Sequence, residues 1–235
     1  MSDFSSAFSK AFYLLISGDA ALMEIIMLSL QVSLSAVVFA TLIGLPLGSI
    51  LAVGRFPGRG AVAAGVNALM GLPPVVVGLA VYMLLSNAGP LSVLELLYTP
   101  TALIIAQTLL VTPIIAALAR QAAEDLLEEY DEQLRSLGSS TLQTISTLIW
   151  DGRYRLLTAI LAGFGRAIAE VGAVMIVGGN INHVTRTMTT AIALETSKGD
   201  LALALALGII LLGIAFAVNA ALMSLRGTAE RAAHA

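Results

Sequence analysis

Long apolar stretches separated by short polar breaks dominate the chain, and stretches of that length read as membrane-spanning helices. The first runs from about residue 25 to residue 53, long enough to tilt in a bilayer. Gly44, Pro46 and Gly48 fall near its far end, where small residues allow close helix approach and the proline bends the helix. The second, about residues 61–85, carries Pro73 and Pro74 at mid-depth. Two prolines remove two backbone donors, so the pattern predicts a bent helix whose freed carbonyls need partners or water. Such a bend lines a pathway or merely serves packing; the pattern allows both. The third, fourth and fifth spans are predicted over about residues 101–119, 156–177 and 201–223. Ahead of them Phe4, Phe8, Phe12 and Leu15 recur at helical spacing over a segment too short to cross. An interfacial helix over residues 1–19 is predicted there, broken at Gly18, with Asp19 capping the next helix; the alternative is an unstructured extension of the first span. No internal repeat is evident, which gives no support to an inverted-repeat carrier.

One long polar segment, Arg120 to Arg155, interrupts this pattern. Its first part places Ala122, Leu126, Tyr130, Leu134 and Leu137 on one helical face with acids opposite, and Gly138 closes it. Ser139 and Ser140 then cap a second helix with Leu142, Ile145, Leu148 and Ile149 along one side. Two solvated helices hung between two spans form either a docking surface for another protein or a plain connection.

Composition fits this picture: 58% of the 235 residues are hydrophobic and 11% charged, with mean hydropathy +0.93. Soluble domains carry about a quarter charged residues, so the chain reads as an all-α polytopic membrane protein of about five spans. A net charge of −3 gives a nucleic-acid partner no basic footing. The absence of cysteine removes disulfides, thiolate metal sites and a cysteine nucleophile. The start, Met1-Ser2-Asp3-Phe4, lacks the basic cluster of a signal peptide, and no cleavage is expected. Arg55, Arg59, the four arginines of the polar segment, Arg226 and Arg231 fall on one side of a five-span topology. The other side holds only Lys10, Arg186 and Lys198. The excess of positive charge places the polar segment and C-terminus (tail 226–235) in the cytoplasm and the N-terminus outside. A permease domain would then occupy residues 20–225, with the polar loop at 120–155.

Arg166 and Glu170 are four residues apart inside the fourth span, at helical spacing on one face. Counted from Leu156, they lie roughly 15 and 21 Å deep, where an unpaired charge costs at least about 2.5–3.5 kcal/mol. They must face protein or a water-filled path. Either they pair to fix packing, or they line a conduit in which Arg166 attracts an anion and Glu170 prevents trapping. Gly163, Gly165 and Gly172 flank them and allow close approach of another helix or of a symmetry mate. Beyond lie Gly178, Gly179, Asn180, Asn182 and His183, whose polar groups either meet a ligand or make a helix-ending turn. His183 and His234 alone make no metal site.

The run Glu132-Gln133-Leu134-Arg135-Ser136-Leu137-Gly138 resembles the Glu-Ala-Ala loop of ATP-binding-cassette (ABC) importer permeases, in which a Glu stands six residues before a Gly. Gln133 and Leu134 depart from the paired alanines, and Trp150-Asp151 stands where many members have Leu-Pro. The block Gly163–Ile181 is similar to that of oxyanion permeases for molybdate and sulfate. Thr187–Asp200 and Gly71–Leu79 resemble the tungstate type more closely. The resemblance implies the ABC importer permease fold with a cytoplasmic two-helix coupling loop, docking an ATPase through Glu132, Gly138, Leu142 and Ile145. The functional readings of Pro73, Pro74, Arg166, Glu170 and Asn180 together make these residues the candidate translocation path or gate. The expected partners are an ABC ATPase subunit, an extracytoplasmic oxyanion-binding protein and a second copy in a homodimer.

The chain lacks a Gly-x-x-x-x-Gly-Lys-Ser/Thr phosphate loop, so ATP is expected to bind a partner and no cofactor here. No nucleophile with a base in reach lies in the spans, which leaves an intramembrane hydrolase unsupported. The expected function is passage of an oxyanion, foremost tungstate, through the cell membrane. Molybdate or sulfate is the alternative cargo, and an ATP-independent anion channel or secondary carrier the alternative class.

Overall fold

The computed structural model describes residues 2–233, and all regular structure among them is helical. Ten α-helices occur in order among those residues: α1 (Ser2–Ser17), α2 (Ala20–Val53), α3 (Arg59–Leu69), α4 (Pro74–Leu85), α5 (Pro100–Ser136), α6 (Thr141–Asp151), α7 (Arg153–Ile168), α8 (Gly172–Gly178), α9 (Met188–Lys198) and α10 (Leu201–Ala233). A single 3₁₀ turn, Ser92–Leu94, lies between α4 and α5. α2, α5 and the first part of α10 (Leu201–Val218) are each long and apolar enough to cross a bilayer. The expected five spans emerge if the bent pairs α3–α4 and α7–α8 count as one span each. His234 lies outside the described residues.

The chain divides into two compact units. One comprises Met1–Ala36, Pro73–Gln107 and Ala167–Val218. The other comprises Val37–Leu72, Thr108–Arg166 and Asn219–Ala235. α2 and α5 each run from the first into the second without interruption.

Three expectations need correction. The third span and the first polar helix are one 37-residue helix, α5. Between Pro113 and Ser136 the sequence offers no glycine or proline, only residues such as Ala, Leu, Glu and Arg that favour helix, so nothing stops it. The second span is broken rather than bent within a helix. α3 ends in tight turns, Met70 N–H to the Asn67 carbonyl (3.2 Å) and Gly71 N–H to that of Ala68 (3.1 Å). Pro73 is the N-cap of α4 and Pro74 its first residue, where a missing donor costs nothing. The fourth span is also broken, between Ile168 and Gly172, so Arg166 and Glu170 do not share a helix face. A smaller difference is that α10 continues through residue 226 to Ala233 with no break at the expected tail.

In the second unit, α2 and α5 pack almost backbone to backbone. A Cβ on Gly48 would lie 2.4 Å from the Ala116 carbonyl oxygen and 2.8 Å from Arg120 N. α7 meets α5 through side chains: a Cβ on Gly163 would lie 2.9 Å from Val111 Cγ1 and 3.0 Å from Ile115 Cδ1. Gly165 has open space beside it within the chain, so no helix among the described residues approaches there.

Gly48→Ala is expected to force α2 and α5 apart, at a cost of about 1–3 kcal/mol for overpacking against backbone. Thermal melting of the purified protein in detergent should show a lower midpoint, whereas Gly165→Ala, inside α7 with room for a Cβ, should leave it level or raise it.

Candidate functional site

The polar end of the second unit is built by two adjoining capping motifs. At the end of α5, Gly138 adopts φ +67°, and the Ser139 N–H reaches back to the Leu134 carbonyl at 3.0 Å. The Gly138 N–H bonds the Arg135 carbonyl at 3.0 Å, completing a Schellman closure that needs a left-handed residue at 138. Ser140 then opens α6 with a capping box. Its hydroxyl accepts from Gln143 N–H at 3.4 Å, and the Gln143 side chain accepts from Ser140 N–H at 2.9 Å. The expected punctuation at Gly138 and Ser140 is therefore in place.

The face of α6 differs from the expected one. Leu148 is buried against Ala52, Ala123 and Leu126, and Thr144 is buried beside it. Leu142 is not part of that face: it is 77% exposed, and with Ser146 and Trp150 it forms an i, i+4, i+8 stripe on the opposite side. Ile145 and Ile149 sit half-buried at the boundary. Leu137 (81%) and Trp150 (70%) are similarly exposed, so three large apolar side chains stand in the open around the hairpin. Arg153 lies over the Trp150 ring, 5.3 Å from its centre, and donates to the Trp150 carbonyl at 2.9 Å. Glu132 is exposed on the outer turn of α5.

A cluster that the sequence did not single out lies just behind. Glu124 accepts from Arg59 Nη2 at 2.7 Å and takes Arg120 Nη1 on both oxygens at 2.9 Å. The Arg59 Nε–H also donates to the Leu51 carbonyl. A cleft of about 750 Å³ opens here, lined by Arg55, Arg59, Glu124, Glu128, Asp131 and Arg135 among others. Its only sequence signal is a set of opposite charges far apart in the chain.

The first unit contains the second candidate site, centred on the break before α8. Breaking a helix leaves carbonyls and amides without partners, and here side chains from α5, from α9 and from Glu170 itself satisfy them. The Ala167 carbonyl accepts from Glu170 N–H at 3.1 Å and from the buried Gln107 amide at 3.1 Å. The Glu170 carbonyl accepts from Thr189 Oγ1 at 2.7 Å. The Glu170 carboxylate, 4% exposed, turns back to accept from Ala173 N–H at 3.0 Å and so caps α8. α9 is secured to α2 in the same way, with the Ser29 hydroxyl accepting from Met188 N–H at 2.7 Å. α4 packs along α8: a Cβ on Gly78 would lie 2.7 Å from Ala173 Cα, and one on Gly172 would lie 2.8 Å from Val75. Pro73 and Pro74 thus bring the start of α4 to the start of α8.

Asn180, at φ +51°, donates to the Thr190 carbonyl at 3.3 Å, and its buried side-chain oxygen has no hydrogen-bond partner among the described residues. His183 contacts Glu24 of α2 at 2.7 Å. Glu170, Asn180 and the proline-led start of α4 therefore belong to one unit. Arg166, half-buried on α7, belongs to the other.

The chain is an all-helical membrane protein with broken apolar helices and a capped polar hairpin, and comparison supplies its class and family. The sequence profile described as "Binding-protein-dependent transport system inner membrane component" matches residues 44–225, and the chain belongs to that family. It is 42% identical over 222 residues to the tungstate uptake system permease protein TupB of Peptoclostridium acidaminophilum, covering 94% of this chain and 97% of that one. The protein of the same name from Campylobacter jejuni is 39% identical over 212 residues, covering 90% and 89%. The inward-facing MetNI methionine ABC transporter structure matches with a TM-score of 0.64 over 91% of this chain and 97% of that one. At 18% identity that likeness establishes the ABC importer permease fold alone.

Glu170→Ala removes the α8 cap and should lower stability by about 1 kcal/mol or more. Glu170→Gln keeps an accepting oxygen, so its melting midpoint should lie between those of Glu170→Ala and the parent. Equal midpoints for the two variants would exclude the capping role.

Proposed function

We propose that this chain is the membrane subunit of an ABC importer that carries tungstate into the cytoplasm, using ATP hydrolysed by a separate subunit. The observation that carries the cargo is near full-length similarity to two proteins named as tungstate uptake permeases. Two copies would form the conduit, an ATPase would dock on each α5–α6 hairpin, and an extracytoplasmic binding protein would deliver the anion. No cofactor is needed on this chain. The arginine-rich ends of the spans face the cytoplasm in this reading, with α1 along the outer surface of the cell membrane and the C-terminus inside.

The geometry supports the docking role. Exposed Leu142, Trp150 and Leu137 give a partner groove an apolar stripe, while Leu148 holds α6 to its own helices. ATP binding would draw the two hairpins together and shift the broken helices at the membrane end. The pairing of α4 with α8, pinned through Glu170, then serves as the gate, with Asn180 at the loop beyond it. Arg166 supplies positive potential for a passing dianion, and binding weak enough to release keeps the path conducting.

Deleting the gene and counting tungsten and molybdenum together at low external concentration tests the cargo. Loss of tungsten with molybdenum retained is the expected outcome. Equal loss of both would point to a general oxyanion importer, and no change in either to a different cargo. Docking is tested at Gly138, where a Cβ meets nothing within 4 Å, so only the left-handed backbone resists substitution. Gly138→Val should abolish co-purification of the ATPase, whereas Gly138→Asn, which tolerates that conformation, should retain it.

A further inference from the structure

We infer that Arg59, Glu124 and Arg120 form a coupling strut: positioning residues that transmit movement of the docking hairpin to the start of the broken α3–α4 helix. The inference rests on the docking reading of that hairpin. Its basis is a coincidence of position on two helices. On one side, Leu148 of α6 packs against Ala52 of α2 and Ala123 of α5. On the other, Arg59, the first residue of α3, bonds Leu51 and Glu124, the immediate neighbours of those two residues. α6 and α3 therefore grip the same turn of α2 and the same turn of α5.

The grip is directional and multiple. The Leu51 carbonyl is one of the last four of α2, groups that lack intrahelical partners, and the Arg59 side chain fills that need. Glu124 is held from its own helix by Arg120 on both oxygens, so its carboxylate is already aimed when Arg59 meets it. The three side chains are 20–36% exposed, with Arg59 and Glu124 at the wall of the cleft, more sheltered than an ordinary surface pair. Beyond Arg59, α3 leads through residues 70–73 into α4, and α4 packs on α8. A push on α6 thus reaches α3 through one guanidinium. The covalent route from α2 to α3 is the Arg55–Gly58 turn, which contains the left-handed Gly58.

The test uses the full chain reconstituted in proteoliposomes with its ATPase and binding protein, measuring tungstate uptake and ATP hydrolysis in the same vesicles. Arg59→Gln should leave ATPase co-purification intact while the ATP consumed per tungstate rises about fivefold or more. Arg59→Lys, which keeps the charge facing Glu124, should restore much of the ratio. Glu124→Gln should resemble Arg59→Gln. Uptake and hydrolysis falling in parallel, or neither changing, would overturn the strut, as would failure of both Arg59 variants to assemble. A parent chain that never binds an ATPase would remove the docking reading, and the strut with it. Parent uptake driven by ATP alongside an unchanged ratio in the variants would remove the strut alone.

Discussion

A backbone amide or carbonyl surrounded by hydrocarbon must find its partner within the protein. This chain breaks helices twice in apolar stretches and meets that demand by different means. At residues 70–73 it uses tight turns, and then a proline pair placed where a helix needs no donors. At residues 169–171 it recruits Gln107, Thr189 and the carboxylate of Glu170. The second solution brings α5 and α9 to one point, so the break ties distant segments together.

The polar end obeys a different logic. Water is available there, and the backbone is closed by a left-handed glycine and a capping box within six residues. That leaves large apolar side chains free to face outward, which a solvated connection would not need. The same end gathers charges from α3 and α5 around Glu124, and Arg59 also reaches the Leu51 carbonyl of α2, so that the three helices meet through hydrogen bonds as well as packing.

Much of this was legible in the residues. Apolar run length marked the spans, Gly138 and Ser140 marked the hairpin, and Pro73-Pro74 marked a disruption. Periodicity could not separate a bent helix from two helices, because the apolar pattern continues across both breaks. The break at Glu170 was hidden because Glu at i+4 from Arg looks like a helical pair; its backbone role appears only once Ala173 is in place. Leu142 was misassigned because Leu148, Ile145 and Ile149 share an apolar arc wide enough to take it in, and only packing on Ala52 and Ala123 fixes which side turns inward. Arg59 and Glu124 lie 65 residues apart, a pairing no local pattern reveals.

The unbroken course of α5 has one more consequence. From Pro113 to Ser136 it forms roughly 34 Å of helix with no turn to absorb a change of phase. A single residue inserted between Pro113 and Ala123 would rotate everything beyond it by about 100°. Glu124 would swing away from Arg59, and the face that receives Leu148 would turn aside, although every individual side chain could still suit a helix. Substitutions along this segment act locally, while insertions and deletions act on the whole hairpin at once. The length of this stretch is therefore under tighter constraint than its composition.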